Sequence, residues 1–111
     1  MSELSQMHAS PVTSTTHRLT PREISPMMAK VPGWEIHTKK GEMILEKSFK
    51  FKDFSQAIVF TDRVAQLANA EDHHPSILTE WGRVTVTWWT HKIKGLSQND
   101  FILAAKTDQL V

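Results

Sequence analysis

The sequence predicts an α+β domain, an antiparallel sheet with helices packed on one face. Three observations point there. Strand-like runs flank a glycine-bearing turn in "WEIHTKKGEMILEKSFKF", and a further run, "RVTVTWWTH", alternates cleanly at period two. Helical periodicity occupies the stretches between and after them. The connections are short and the strands too few for a sandwich, so helices must cover the sheet.

The chain has 111 residues, the length of one domain with a modest core. Residues 1–17, "MSELSQMHASPVTSTTH", are rich in Ser and Thr and show no apolar period, which predicts a disordered tail. Its histidines, His8 and His17, are then incidental, and the folded domain covers 18–111. Thr20 suits a helix N-cap, Pro21 the first helical position, and Glu23 completes a capping box. Pro26 falls inside that helix, so either the helix restarts there or its first turn stands apart. "VPG" ends it before Trp34.

The hairpin turn is "TKKGE", with Gly41 supplying a positive φ. In the second strand Met43, Leu45, Lys47, Phe49 and Phe51 make the more apolar face. Asp53 then caps the longest helix, about 54–69, with Phe54, Ala57, Ile58, Val64, Ala65, Leu67 and Ala68 as its apolar stripe. Phe60 lies off the centre of that stripe and marks a second buried face. "EDHHPSILTEW" follows as a loop, with room for a short strand near Trp81. In the clearest strand Val84, Val86, Trp88 and Thr90 face the core, while Trp89 and His91 share the more polar face. Gly95 ends the next loop. Ser97 and Asp100 form a second capping box for a last helix reaching about residue 109, and capping is the role its position gives Asp100.

Composition removes several function classes. A net charge of +1 lacks the basic excess of a nucleic-acid binder. No cysteine is present, so disulfides, zinc fingers and thiol catalysis fall away. No apolar run approaches the roughly 20 residues that span a membrane, and no secretory signal is visible, so a cytoplasmic location is expected.

Six histidines remain as the groups that titrate near neutrality. His73 and His74 stand side by side, and Pro75 pushes His74 toward extended geometry, so the two rings point apart. Three readings fit them. They are surface histidines in a helix C-terminal turn, where imidazolium meets the negative end of the helix dipole. Or they join His91 in a three-histidine metal site, although adjacent histidines rarely bind one ion. Or they perform metal-free acid/base catalysis, with Asp72 or Glu71 orienting a ring.

Taken together, "DHHP", Trp81, "WTH" with His91, and "GLSQND" resemble the pterin-4a-carbinolamine dehydratases. The resemblance covers about residues 18–110 and extends to "GW" at 33–34 and "FKFKDFSQAIVFTDRVAQLA" at 49–68. It implies dehydration of 4a-hydroxytetrahydrobiopterin to quinonoid dihydropterin during tetrahydrobiopterin recycling, without metal or organic cofactor. It implies His73, His74 and His91 as catalytic residues and Asp72, His73, His74, Trp89, Thr90, His91 and Lys92 as substrate contacts. It also implies a four-stranded sheet, a homodimer or homotetramer, and an aromatic amino-acid hydroxylase as functional partner, with no nucleic acid and no membrane. The alternative is a non-catalytic member serving as a binding or assembly partner or a transcriptional coactivator. One departure is Asn69. Many relatives carry an acid there, four residues before the first signature histidine, and an amide hydrogen-bonds but holds no charge.

Overall fold

The structure, a computed structural model, describes residues 3–111. Its sheet has four antiparallel strands in the order β1-β2-β4-β3: β1 (Glu35–Lys39), β2 (Glu42–Lys50), β3 (Ser76–Glu80) and β4 (Arg83–Trp88). Helices α1 (Pro21–Met28), α2 (Phe54–Glu71) and α3 (Gln98–Asp108) complete the α+β fold the sequence predicts.

The hairpin closes through Lys40-Gly41, with Lys39 paired to Glu42. Both turn residues have positive φ, 52° and 80°, which matches the right-handed twist of the flanking strands. Gly41 accepts this freely; Lys40 does so against its β-carbon. The expected extra strand is β3, antiparallel to β4, with Ile77 opposite Val86 and Thr79 opposite Val84.

One sheet face carries Leu45, Phe49, Val84, Val86 and Trp88 into the core, against Ala57, Phe60, Val64 and Ala68 of α2 and Phe101 and Leu103 of α3. The other face is joined by side-chain hydrogen bonds, Ser48 to Thr85 at 2.8 Å and the Thr87 hydroxyl to Glu46 at 2.8 Å. The expected stripe of α2 needs correction. Phe60 is buried together with Ala57, Val64 and Ala68 on the one face that meets the sheet, against Phe49 and Phe51 at 4.8 and 5.0 Å between ring centroids. Phe54, Ile58 and Ala65 lie roughly a quarter-turn further round and stay exposed. The apolar arc of this helix is wider than one sheet can cover.

Both capping boxes form, at Thr20/Glu23 and at Ser97/Asp100. Pro26 lies within α1 without breaking it; the helix is eight residues long and Pro26 costs it one internal hydrogen bond. The expectation of a disordered N-terminal tail is not met by the described residues 3–17. Glu3–Gln6 form a 3-10 turn, and Leu4, only 3 % exposed, joins the core. His8 pairs with Glu71 and His17 with Glu23, so neither is incidental to the fold. Polar composition misled here because the segment docks through backbone groups onto side chains distant in sequence.

Candidate active site

The site is built where α2 ends and β4 stops. Asp72 closes α2 in the left-handed conformation, φ 51°, turning the chain sharply into His73 and His74. The His73 amide reaches back to the Ala68 carbonyl at 3.1 Å, and its ring is 7 % exposed. His74 emerges to solvent and donates from Nε2 to Asn69 Oδ1 at 3.1 Å. The neutral amide thus serves His74, as an acceptor.

β4 ends at Trp88, so His91 does not continue the strand. It heads a single 3-10 turn, His91–Ile93, pinned by a bridge between Thr90 and Gly95. Trp89 and His91 still come together, with ring centroids 4.3 Å apart. Trp88 stacks on His73 from the core side, 6.0 Å between centroids and 20° between planes.

Beneath these rings lies a buried polar chain. His73 Nε2 is 2.7 Å from Asp100 Oδ1. Asp100 Oδ2 accepts from the Thr90 hydroxyl at 2.7 Å and from the Ser97 amide at 2.9 Å, while the Thr90 and Ser97 hydroxyls are 2.8 Å apart. Asp100 is 0 % exposed. A carboxylate only accepts, so Nε2 must carry the proton that bonds it. The ring is thereby held in one tautomer, with Nδ1 left for a ligand.

Asp100 therefore caps α3 with one oxygen and orients a site histidine with the other. The carboxylates expected near the histidines do other work. Glu71 is occupied by the N-terminal segment, accepting from the Ala9 amide at 2.7 Å and pairing with His8 at 2.9 Å. Asp72 is exposed at the helix end.

A cleft of about 280 Å³ is lined by Asp72, His73, His74, Trp89, Thr90, His91 and Lys92, together with Val12. Every residue proposed for the site from sequence reaches it. Thr90 differs in kind: it is 1 % exposed and its hydroxyl is spent on Asp100, which makes it a support more than a contact. Val12 was missed because it belongs to the segment read as tail. A larger hollow of about 460 Å³ lies beside α1, but its acid/base groups, His17 and Glu23, bond each other. Chemistry selects the smaller cleft. Among the described residues no group of three or more His, Cys, Asp or Glu is disposed to hold a metal ion. Nor is any helix there long and apolar enough to cross a membrane.

Known proteins and solved structures resemble this chain over most of its length. A solved structure described as a transcriptional coactivator/pterin dehydratase from Brucella melitensis is 35 % identical with a TM-score of 0.76, covering 85 % of this chain and 98 % of that one. A pterin dehydratase-like protein identified as a RuBisCO assembly factor in the alpha-carboxysome is 25 % identical with a TM-score of 0.59, covering 70 % and 88 %. The sequence model for pterin 4 alpha carbinolamine dehydratase matches residues 17–110, and the chain belongs to that family.

Proposed function

We propose that this protein dehydrates 4a-hydroxytetrahydrobiopterin to quinonoid dihydropterin and water, by acid/base catalysis at histidines, in tetrahydrobiopterin recycling. The observation that carries the reading is one cleft lined by His73, His74 and His91, with the His73 ring fixed by a buried carboxylate. Family membership supports the pterin as substrate class.

The reaction needs one acid and one base. The substrate carries a hydroxyl on C4a, next to N5. The N5 lone pair forms the C=N bond as the C4a–O bond breaks. A donated proton lets the hydroxyl leave as water, and the N5 proton passes to a base. His73 suits the base, because its Nε2 proton is committed to Asp100 and Nδ1 is the acceptor. His91 then acts as the acid, with Trp89 beside it as an apolar surface for the flat ring. His74, exposed and backed by Asn69, binds substrate or stabilises developing charge.

A spectroscopic assay of 4a-hydroxytetrahydropterin dehydration tests the reading. We expect acceleration over the spontaneous rate, falling by about 10²–10⁴-fold in His73→Ala and in His91→Ala. His74→Ala should act chiefly on KM. An inactive His74→Ala beside an active His73→Ala would reverse the roles.

The proposal keeps a cytoplasmic setting, an aromatic amino-acid hydroxylase as the source of substrate, and a homodimer or homotetramer. Exposed Phe54, Ile58 and Val59 on α2, and Leu78 and Trp81 on the β3–β4 hairpin, support self-association. A second reading, a binding or assembly partner with little catalysis, draws on the coactivator and assembly-factor descriptions of the two similar structures. Wild-type protein that leaves the dehydration rate unchanged would favour it.

A further inference from the structure

We propose that residues 3–12 form a strap that completes the candidate site, with Val12 as a specificity-determining wall and Glu71 and Asn99 as the positioning residues that hold it there. The inference rests on the dehydratase reading above and adds to it a segment the family model, which begins at residue 17, does not include.

The strap is tied down along its length. Leu4 is buried in the core, and the Ser5 carbonyl accepts from Lys106 Nζ at 3.2 Å. The Ala9 amide donates to Glu71 Oε1 at 2.7 Å, while His8 holds the other oxygen at 2.9 Å. Ser10 and Asn99 exchange two hydrogen bonds: the Ser10 amide donates to Oδ1 at 2.9 Å, and Nδ2 donates to the Ser10 carbonyl at 2.8 Å. This imitates one rung of a β-ladder with a side-chain amide. Both anchors are nearly inaccessible, the Glu71 side chain 9 % exposed and Asn99 5 %.

The anchors also fall at telling places. Glu71 immediately precedes Asp72-His73-His74, and Asn99 immediately precedes Asp100, the carboxylate that fixes His73. The strap therefore bonds both arms of the site next to their working residues. Two residues beyond Ser10, Val12 enters the cleft. The other lining residues are polar or charged except Trp89. A flat heteroaromatic ring is held by apolar surface against its faces and edges, and Val12 and Trp89 are the side chains here that offer it. Val12 limits the width of the cleft, and so the bulk of pterin substituent that enters it.

Two measurements decide this together: KM and kcat for dehydration, and the Kd of 7,8-dihydrobiopterin, a stable pterin, by calorimetry. Val12→Ala should raise KM and Kd about three- to tenfold, the range for one or two lost methyl contacts, with kcat within twofold. Val12→Phe should weaken binding more for a pterin with a long 6-substituent than for 6-methylpterin. Glu71→Ala should raise KM and Kd in the same direction, and combining it with Val12→Ala should give less than the product of the two effects. Wild-type protein that dehydrates the substrate while Val12→Ala and Glu71→Ala keep wild-type KM and Kd overturns the strap and leaves the dehydratase reading standing. Wild-type protein that binds dihydropterin without dehydration overturns the dehydratase reading, and the Kd values of the variants still decide the strap. No binding and no dehydration overturn both.

Discussion

His73 is distinguished from His74 and His91 by what lies behind it. Asp100 holds its Nε2, Trp88 lies parallel to its ring, and the ring is buried, whereas the other two histidines stand in solvent. Asp100→Asn tests the hold. An amide that turns its NH₂ toward Nε2 reverses the tautomer and puts a proton on Nδ1, while its oxygen still caps α3. We expect kcat to fall about 10²-fold or more with helical content preserved, measured by dehydration kinetics and circular dichroism. Wild-type kcat in this variant would rule out tautomer control. Thr90→Val removes a donor from the other oxygen and should cost about 1–3 kcal/mol in denaturant unfolding, because a buried acceptor loses a partner. The spacing S-x-x-D announced Asp100 as a cap and nothing more. Its second bond joins residues 27 apart in sequence, and local periodicity holds no record of such a contact.

Elements were more legible than their contacts. Thr20-Pro21-Glu23, Asp53 and Ser97 all mark real helix starts, because caps are satisfied within a few residues of themselves. The buried line of α2 was harder to read, since Phe54, Ile58 and Ala65 are as apolar as the residues that face the sheet. Phe60→Ala should cost about 3–5 kcal/mol by equilibrium unfolding, whereas Phe54→Ala in the monomer should cost far less. At the β1–β2 turn, Lys40→Asn should raise stability by about 0.5–1 kcal/mol, since Asn tolerates the left-handed conformation better than Lys. The N-terminal strap carries a pH dependence through Glu71. Burial pushes its carboxyl up, but the bonds from His8 and the Ala9 amide and the charges of Lys106 and His8 outweigh it, so the net shift is downward. A carboxyl lowered in the folded state stabilises fully above its unfolded value and loses that contribution as pH falls through its folded one. Amide protection at Ala9 and Ser10 should therefore drop only on acidification below the ordinary carboxylate range, and Glu71→Ala should show weak protection at every pH.

At the scale of the whole molecule the folded chain leaves more apolar surface uncovered than its own sheet can use. Val59 is 50 % exposed and Trp81 70 %. Sedimentation should find an oligomer, with Val59→Asp or Trp81→Glu shifting it toward smaller species; a monomeric wild-type protein would remove that expectation. The two neighbouring tryptophans of the site have a further, optical consequence. Trp88 lies against His73 inside the core and Trp89 against His91 in the cleft. Protonated imidazole quenches indole emission. With Trp34 and Trp81 replaced by Phe, the remaining fluorescence becomes a readout from the site itself, a buried channel for His73 and a solvent-facing one for His91. The protein thus carries its own spectroscopic labels on the two groups proposed to pass the protons, and their ionisation can be followed in the resting protein before any substrate is added.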